Sequence, residues 1–273
     1  MGIPYFFIGG YNLKEEAIEV LTIIENLGYK AYLIGGYPRD FYIGKPTDDY
    51  DICTNATPDI IENSFEVSSP EKHGSIKIKY KDISFDITTF RIESDYQDVR
   101  TPVTTYTESL IDDIQRRDFT INSICIDKHG EYIDLLGGLK DIDSRIIKCI
   151  GDPSAKLAED PLRILRAIRF ATVLDFSIDE DLERGIMMEG SGVSKLSYYR
   201  RKEELDRIFA SNHVAKGIEL IKKYHLGQYL ELNFDGVVPI PSAIEMWGQL
   251  DYPDQYPFTR TEKKKMEQNE KNI

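Results

Sequence analysis

The hydrophobic and polar positions along the chain predict helices and strands in the first half and helices alone in the second. Residues 13–27 place apolar side chains at helical spacing, with Asn12 as a candidate cap and Gly28 after the last turn. Short apolar runs predict strands at 31–34, 50–53, 75–80 and 83–90. A further helix is predicted to begin around residues 55–58, so the first half is expected to pack helices against a short mixed sheet.

Helical spacing continues without strands after Pro153. The predicted helices cover 156–174, 178–188, 197–210 and 213–224. The sequence therefore predicts an α+β fold, with an N-terminal domain over residues 1–145 and an all-helical domain over 146–232. Residues 233–273, rich in proline and aromatic residues and then in charge, are predicted to form a short C-terminal tail.

A glycine pair ends the first predicted strand. Gly35 and Gly36 can form a turn whose backbone N–H groups approach phosphate oxygens closely, because neither residue has a Cβ. Arg39 or Asp40 would anchor this turn. The pattern favours a phosphate-binding loop.

Two acids lie one residue apart at the start of the next predicted strand. Residues two apart share a strand face, so Asp49 and Asp51 are predicted to point together while Tyr50 and Ile52 enter the core. Neighbouring carboxylates repel unless a cation lies between them, and oxygen ligands of this kind select magnesium or manganese. Two such ions suit nucleotidyl transfer, one at the attacking hydroxyl and one at the leaving pyrophosphate.

Two further motifs carry candidate binding groups. Arg116 and Arg117 precede Asp118, and such arginines contact phosphate or stack on a base while the acid accepts a ribose hydroxyl. Asp160 and Arg163 are three apart at a predicted helix start and can read the Watson–Crick edge of a base. Surface ion pairs are the alternative interpretation of both motifs.

Composition narrows the classes of molecule that the chain is expected to bind. The net charge of −13 argues against nonspecific nucleic-acid binding, although lysine and arginine concentrate in the second half and again at Lys263–Lys265. Cys53, Cys125 and Cys149 lack metal-ligand spacing and predict reduced thiols in a cytoplasmic protein. No apolar run approaches about twenty residues and the start lacks a basic leader, so neither a membrane partner nor a signal peptide is expected.

Taken together, the motifs resemble those of the class II tRNA nucleotidyltransferase (CCA-adding enzyme) and bacterial poly(A) polymerase family, within the polymerase β-like superfamily. The resemblance runs from about Tyr32 to Leu226. It is carried by LIGGYPRD, DDYDICTNATP, DITTFR, RRDFTINSI, DLLGGLKDIDSRIIKCIGDP and EDPLRILRAIRFA. Tyr37, Pro38 and Ser123 depart from the usual pattern without removing a group that the chemistry needs.

The resemblance implies roles for these positions. It implies that Asp49 and Asp51 are catalytic and bind two Mg²⁺ ions, with Mn²⁺ also acceptable and Asp86 as a candidate third carboxylate. Triphosphate binding is implied for Gly35, Gly36, Arg39, Arg116 and Arg117. Ribose binding is implied for Asp118 and Asn122, and a protein template for the bases of CTP and ATP is implied for Asp160, Arg163 and Arg166.

The implied activity is template-independent addition of CTP- and ATP-derived nucleotides to the 3′ end of tRNA, with release of pyrophosphate. The implied organisation is a nucleotidyltransferase head, a helical neck and a short tail, with the family's body and tail domains largely missing and a homo-oligomer as one way to hold tRNA. Neither DNA nor a membrane is an expected partner. The retained segment 91–114, including Tyr96, Asp98, Arg100 and Pro102, favours complete CCA addition. A poly(A) polymerase using ATP is the alternative, followed by CC-only or A-only addition and a noncatalytic RNA-binding relative.

Overall fold

The computed structural model describes residues 13–45, 47–72, 74–94 and 103–270. The chain divides into two compact units, one ending at Ser144 and the other beginning at Arg145. The predicted cap Asn12 lies outside the described residues. The same holds for four residues of the segment that favours complete CCA addition, namely Tyr96, Asp98, Arg100 and Pro102.

The first unit is a sheet with helices. Its helices are α1 (Glu15–Asn26), α2 (Gly36–Tyr42), α3 (Pro58–Ser64), α4 (Leu110–Gln115) and α5 (Gly138–Asp143). Its strands are β1 (Ala31–Ile34), β2 (Tyr50–Thr54), β3 (Glu66–Lys72), β4 (Ser75–Tyr80), β5 (Ile83–Thr89), β6 (Arg91–Ser94), β7 (Val103–Tyr106), β8 (Cys125–Ile126) and β9 (Tyr132–Ile133). A short 3₁₀ helix covers Thr120–Asn122.

Across the described residues, seven strands form one sheet in the order β3-β4-β5-β2-β1-β8-β9. β2 and β5 run parallel, while the other neighbours run antiparallel, so the sheet is mixed as the sequence predicts. β6 and β7 form a separate antiparallel pair.

The two faces of the sheet bury different residues because side chains alternate along each strand. One face packs Leu33 and Ile52 against the apolar stripe of α1, which includes Leu21 and Ile24. The opposite face carries a smaller cluster of Ile34, Cys53, Phe90, Ile114 and Cys125. Asp51 lies on this second face, because it is two residues from Cys53.

The second unit is mainly helical. Its helices are α6 (Pro153–Glu159), α7 (Leu162–Val173), α8 (Glu180–Glu189), α9 (Tyr198–Phe209), α10 (Val214–Lys223), α11 (Gly227–Leu230), α12 (Ala243–Trp247) and α13 (Arg260–Glu270). A two-residue parallel pair, β10 (Ile146–Ile147) with β11 (Ser177–Ile178), accompanies them. The α+β class, with a mixed sheet followed by a helical region, is thereby confirmed.

One predicted helix is divided. The spacing predicts a single helix over 156–174, whereas α6 ends at Glu159 and α7 begins at Leu162. Pro161 has no N–H to continue the helical hydrogen bonds, and it disfavours a helical conformation at the residue before it. Asp160 is accordingly extended, with φ −139° and ψ 95°.

The segment after residue 233 is held by an aromatic cluster around Trp247. The centre of the Trp247 ring lies 5.4 Å from the ring centre of Phe209 in α9, 5.0 Å from that of Tyr256 and 5.1 Å from that of Phe258. Trp247 Nε1 donates a hydrogen bond to Asp206 Oδ1 at 2.6 Å. The aromatic content of this segment therefore forms an anchor on α9.

Candidate active site

Three carboxylates converge at the beginning of β2. Asp49 directly precedes β2, Asp51 lies in it, and Asp86 is the partner of Asp51 in the parallel neighbour β5. One oxygen atom from each lies within 4.8 Å of the others. The adjacent Asp48 instead pairs with Lys14 at 2.8 Å and is largely exposed. The structure thus brings together the three acids named from the sequence.

The electrostatics of this acidic cluster favour a cation. Burial and then the charge of Asp49 raise the pKa of Asp51 to about 6, although the charge of Arg117 opposes the rise. A cation between the carboxylates would remove the repulsion that disfavours their ionised forms. The donor set fits a divalent ion of the magnesium type, because such ions prefer carboxylate oxygens.

Gly35 lies directly against this cluster. Its φ is +84°, and a Cβ atom there would be 2.9 Å from Asp51 Oδ2. A Cβ atom on Gly36 would meet Arg39 at 3.5 Å, which is ordinary contact. The need for glycine therefore falls on residue 35, where the turn and the Asp51 carboxylate approach each other closely.

Arg39 is buried and bonded within the protein. Its Nε donates to Asp40 Oδ1 at 2.8 Å and one terminal nitrogen donates to Asn122 Oδ1 at 2.5 Å. The Asn122 amide in turn donates to Asp118 Oδ1 at 3.2 Å. Arg39 of one motif and Asp118 and Asn122 of another thus form one hydrogen-bonded chain that ties α2 to the 3₁₀ helix.

Arg116 and Arg117 share a carboxylate that the sequence analysis did not single out. Asp113, in α4, is fully buried and lies 2.8 Å from a terminal nitrogen of Arg116 and 3.0 Å from one of Arg117. The available signal was its position three and four residues before the two arginines, which places all three on neighbouring turns.

The residues for which the family resemblance implies base reading lie in the second unit. Asp160 is half-buried and accepts a hydrogen bond from the Leu162 backbone N–H at 3.1 Å. Arg163 is buried and donates to the Lys156 carbonyl at 3.0 Å, so its side chain points back over the end of α6. Arg166 lies one turn further along α7, with its guanidinium 5.3 Å from the Phe170 ring centre.

Much of the positive charge predicted for the second half is matched by nearby acids. Three lysines illustrate the pattern: Lys216 with Asp175 at 2.9 Å, Lys222 with Asp235 at 3.5 Å and Lys223 with Glu183 at 2.6 Å. The net basic surface of this unit is therefore smaller than the sequence alone suggests.

Comparison with known proteins shows the family of the chain. The sequence model of one protein family, the poly(A) polymerase head domain, matches residues 31–148. A second family model, described as a probable RNA and SrmB-binding site of polymerase A, matches residues 175–234. A CCA-adding enzyme of Staphylococcus epidermidis is 37% identical over 223 residues, which are 81% of this chain and 56% of that relative. The chain belongs to the poly(A) polymerase and CCA-adding enzyme family.

Solved structures of this family agree with the fold. The crystal structure of the Bacillus stearothermophilus CCA-adding enzyme in complex with CTP has a TM-score of 0.74 and 31% identity, covering 80% of this chain and 54% of that one. The Thermotoga maritima CCA-adding enzyme complexed with tRNA_CCA shares the fold at a TM-score of 0.73 and 20% identity, covering 94% of this chain and 69% of that one. The chain spans little more than half the length of its curated relatives, 56% and 60% for two of them.

Nucleotidyltransferases of the poly(A) polymerase and CCA-adding enzyme family use divalent metals, which agrees with the cluster of Asp49, Asp51 and Asp86. Among the described residues, no helix is long and apolar enough to cross a membrane. Cys53, Cys125 and Cys149 are free thiols and are buried.

Proposed function

We propose that this protein adds nucleotides from CTP and ATP to the 3′ end of tRNA without a nucleic-acid template, completing or repairing a CCA end. The observation that carries this proposal is the convergence of Asp49, Asp51 and Asp86 within 4.8 Å, with Gly35 packed against Asp51. Membership of the poly(A) polymerase and CCA-adding enzyme family supports the reaction class, and the names of the relatives support the substrates.

In this proposal Asp49 and Asp51 would hold two Mg²⁺ ions, and Asp86 would contribute a third carboxylate. Mn²⁺ would satisfy the same ligands. When bound, the metals supply activation of the attacking 3′-hydroxyl and neutralise charge on the phosphates. The oxygen of that hydroxyl forms a bond to the α-phosphorus, the bond to the bridging oxygen breaks, and pyrophosphate leaves. Asp51 lies at the close contact with Gly35, so the turn of α2 would hold the triphosphate beside the acids.

The remaining candidate residues would hold the nucleotide. Triphosphate binding is proposed for Gly35, Gly36, Arg39, Arg116 and Arg117. Ribose binding is proposed for Asp118 and Asn122, whose mutual hydrogen bond fixes both side chains. The first unit, or head, would carry out the chemistry on this nucleotide.

Choice of the base is proposed for the helical neck, through Asp160, Arg163 and Arg166. Asp160 lies in the interruption between α6 and α7, where backbone groups are released from regular helical bonding, and Arg163 lies in the first turn of α7. A carboxylate accepts from an exocyclic amine and a guanidinium donates to ring nitrogen or carbonyl oxygen, which suits reading of cytosine and adenine. Residues after 233 would complete the neck through the Trp247 cluster.

A poly(A) polymerase is the second candidate, because the matched head model carries that description. It would use the same acids and arginines but incorporate ATP alone. The same incorporation assay separates the two functions.

The test is incorporation of radiolabelled CTP and ATP into tRNA that lacks its 3′ CCA end. Two C residues followed by one A support CCA addition, a run of A supports poly(A) synthesis, and no incorporation contradicts both. Replacing Asp49 or Asp51 with Ala should lower incorporation on the order of a hundredfold or more, because electrostatic stabilisation of the transition state supplies much of the rate enhancement in such reactions. Asp48→Ala is the matched control and should retain activity, since Asp48 pairs with Lys14 away from the cluster.

A further inference from the structure

The buried carboxylate of Asp113 connects both arginines of the RRD motif. Asp113 Oδ1 accepts from Arg116 Nε at 2.9 Å, and Oδ2 accepts from a terminal nitrogen of Arg117 at 3.0 Å. Its side chain is 0% exposed, so the acid is fully removed from water. Such a charge is tolerated in the interior only when it is paired and hydrogen-bonded.

Glu93 extends this cluster on the side of Arg116. Glu93 Oε1 lies 2.9 Å from a terminal nitrogen of Arg91 and 3.2 Å from one of Arg116. Asp113 also accepts from the Arg91 backbone N–H at 3.3 Å. Arg116 is therefore held between two carboxylates, one from Asp113 and one from Glu93.

The two arginines of the motif differ in how many of their guanidinium N–H donors have a partner within the protein. Each guanidinium nitrogen of Arg116 has a carboxylate partner, either Asp113 or Glu93. Arg117 bonds to Asp113 through a terminal nitrogen, and among the described residues its buried Nε has no hydrogen-bond partner. An unsatisfied buried donor costs stability unless a ligand completes it. Of the two arginines, Arg117 is therefore the one that keeps an unsatisfied donor among the described residues.

The segment that carries Arg117 packs against the strand that carries Asp51. Asp51 and Cys53 lie at two-residue spacing on the same face of β2. Ile114 of α4, in the turn before Arg117, packs with Cys53 on that face. The helix that carries Asp113 is thereby fixed against the strand that carries Asp51.

We propose that Asp113 is a positioning residue of the nucleotide site, which holds the guanidinium of Arg117, with its Nε donor left unpaired by the described residues, for a nucleoside triphosphate, while Arg116 anchors the cluster. This inference rests on the proposed function. It narrows the triphosphate-binding role proposed above for both arginines to Arg117, and it gives Arg116 a structural role. Phosphate is the expected acceptor because guanidinium donors match its oxygen geometry.

The test is Asp113→Asn, which keeps the shape of the side chain and removes its charge. Loss of one charged hydrogen bond that orients Arg117 should raise the KM for CTP and for ATP alike by about tenfold. The two nucleotides should respond equally because they share the triphosphate. The KM for tRNA should stay unchanged, and kcat should change by less than about threefold. A merely structural role would lower the folded fraction and hence the apparent kcat, with the nucleotide KM unchanged.

Glu93→Gln is the matched control. Glu93 belongs to the same ion-pair cluster and contacts Arg91 and Arg116, whereas Arg117 bonds to Asp113. The variant should lower the unfolding temperature, as Asp113→Asn does, while the nucleotide KM stays within about twofold of wild type. An equal rise in KM for both variants would overturn the proposal, because the effect would then belong to the whole cluster.

A second variant keeps the test decisive if Asp113→Asn does not fold. Asp113→Glu retains the charge that Arg116 and Arg117 need, and its additional methylene displaces the carboxylate, so the nucleotide KM should rise in the same direction. An unchanged KM in whichever of the two variants folds overturns the assignment. Wild-type protein is assayed in parallel, so that absent incorporation there identifies a failure of the proposed function and not of the role of Asp113.

Discussion

Replacing Gly35 with Ala tests the close contact between the turn and the acidic cluster. Gly35 has φ +84° and ψ −128°, a region that side chains rarely adopt, and the strain of a non-glycine residue there costs about 1–3 kcal/mol. The new Cβ atom would also lie 2.9 Å from Asp51 Oδ2, so the carboxylate or the turn must move. A misplacement of about 1 Å in a reacting site costs on the order of a hundredfold in rate.

Gly44→Ala provides the control for backbone strain alone. Gly44 has φ +71°, and a Cβ atom there would meet nothing within 4 Å. The substitution should cost about 1–2 kcal/mol of stability. Each kcal/mol corresponds to roughly 2–4 °C in unfolding temperature for a domain of this size class. Both variants should therefore unfold a few degrees early, but only Gly35→Ala should lose activity.

The assay measures unfolding by circular dichroism, followed by single-turnover nucleotide incorporation at a temperature where both variants are fully folded. We expect Gly35→Ala to fall on the order of a hundredfold below Gly44→Ala. Incorporation by Gly35→Ala within about twofold of Gly44→Ala would refute the reasoning, because the Asp51 contact would then have no bearing on the chemistry.

Three other predictions concern the second unit. Asp160→Ala and Arg163→Ala should reduce discrimination between CTP and ATP and the other nucleotides more than they slow incorporation; unchanged nucleotide preference in competition assays contradicts the template role. Burial would raise the pKa of Glu262, but hydrogen bonds from Lys202 and Thr259 outweigh this effect and lower the pKa from 4.5 to about 2. The stabilising contribution of Glu262 is therefore present above pH 4.5 and is lost as the pH falls towards about 2. Urea unfolding at falling pH should show this loss in wild type and not in Glu262→Gln. Trp247→Phe removes the hydrogen bond to Asp206 and should lower the free energy of unfolding by about 1.5–3 kcal/mol. The control Tyr199→Phe, at an exposed position, should change it by less than about 0.5 kcal/mol. Equal stability of the two variants contradicts the anchoring role.

The main elements of the first unit follow from local pattern. The four strands predicted at 31–34, 50–53, 75–80 and 83–90 match β1, β2, β4 and β5 to within one residue at either end. The strands β3 and β9 were not predicted, because a polar edge strand and a two-residue strand carry little periodic signal. In the second unit the spacing predicted most helices, and Pro161 divided one of them.

The candidate site likewise combines features that follow from local sequence pattern with features that depend on tertiary packing. The pairing of Asp49 with Asp51 on one face was predictable from strand alternation alone, and the structure places them so. Two arrangements depended on tertiary packing. Arg39 bonds to Asn122, 83 residues away, and the Arg163 side chain turns back over the end of α6 to the Lys156 carbonyl. Neither arrangement follows from the spacing of residues in a motif.

The sequence by itself determined which residues carry the chemistry and which side of a strand or helix they occupy, because those properties depend on residue type and on a period of two or 3.6. Tertiary structure alone decided which groups meet. The parallel register of β2 with β5 sets Asp86 beside Asp51, and the docking of α2 against the 3₁₀ helix joins Arg39 to Asn122. These contacts require the burial of apolar surface that joins segments far apart in the chain, and local spacing carries no information about that partner choice.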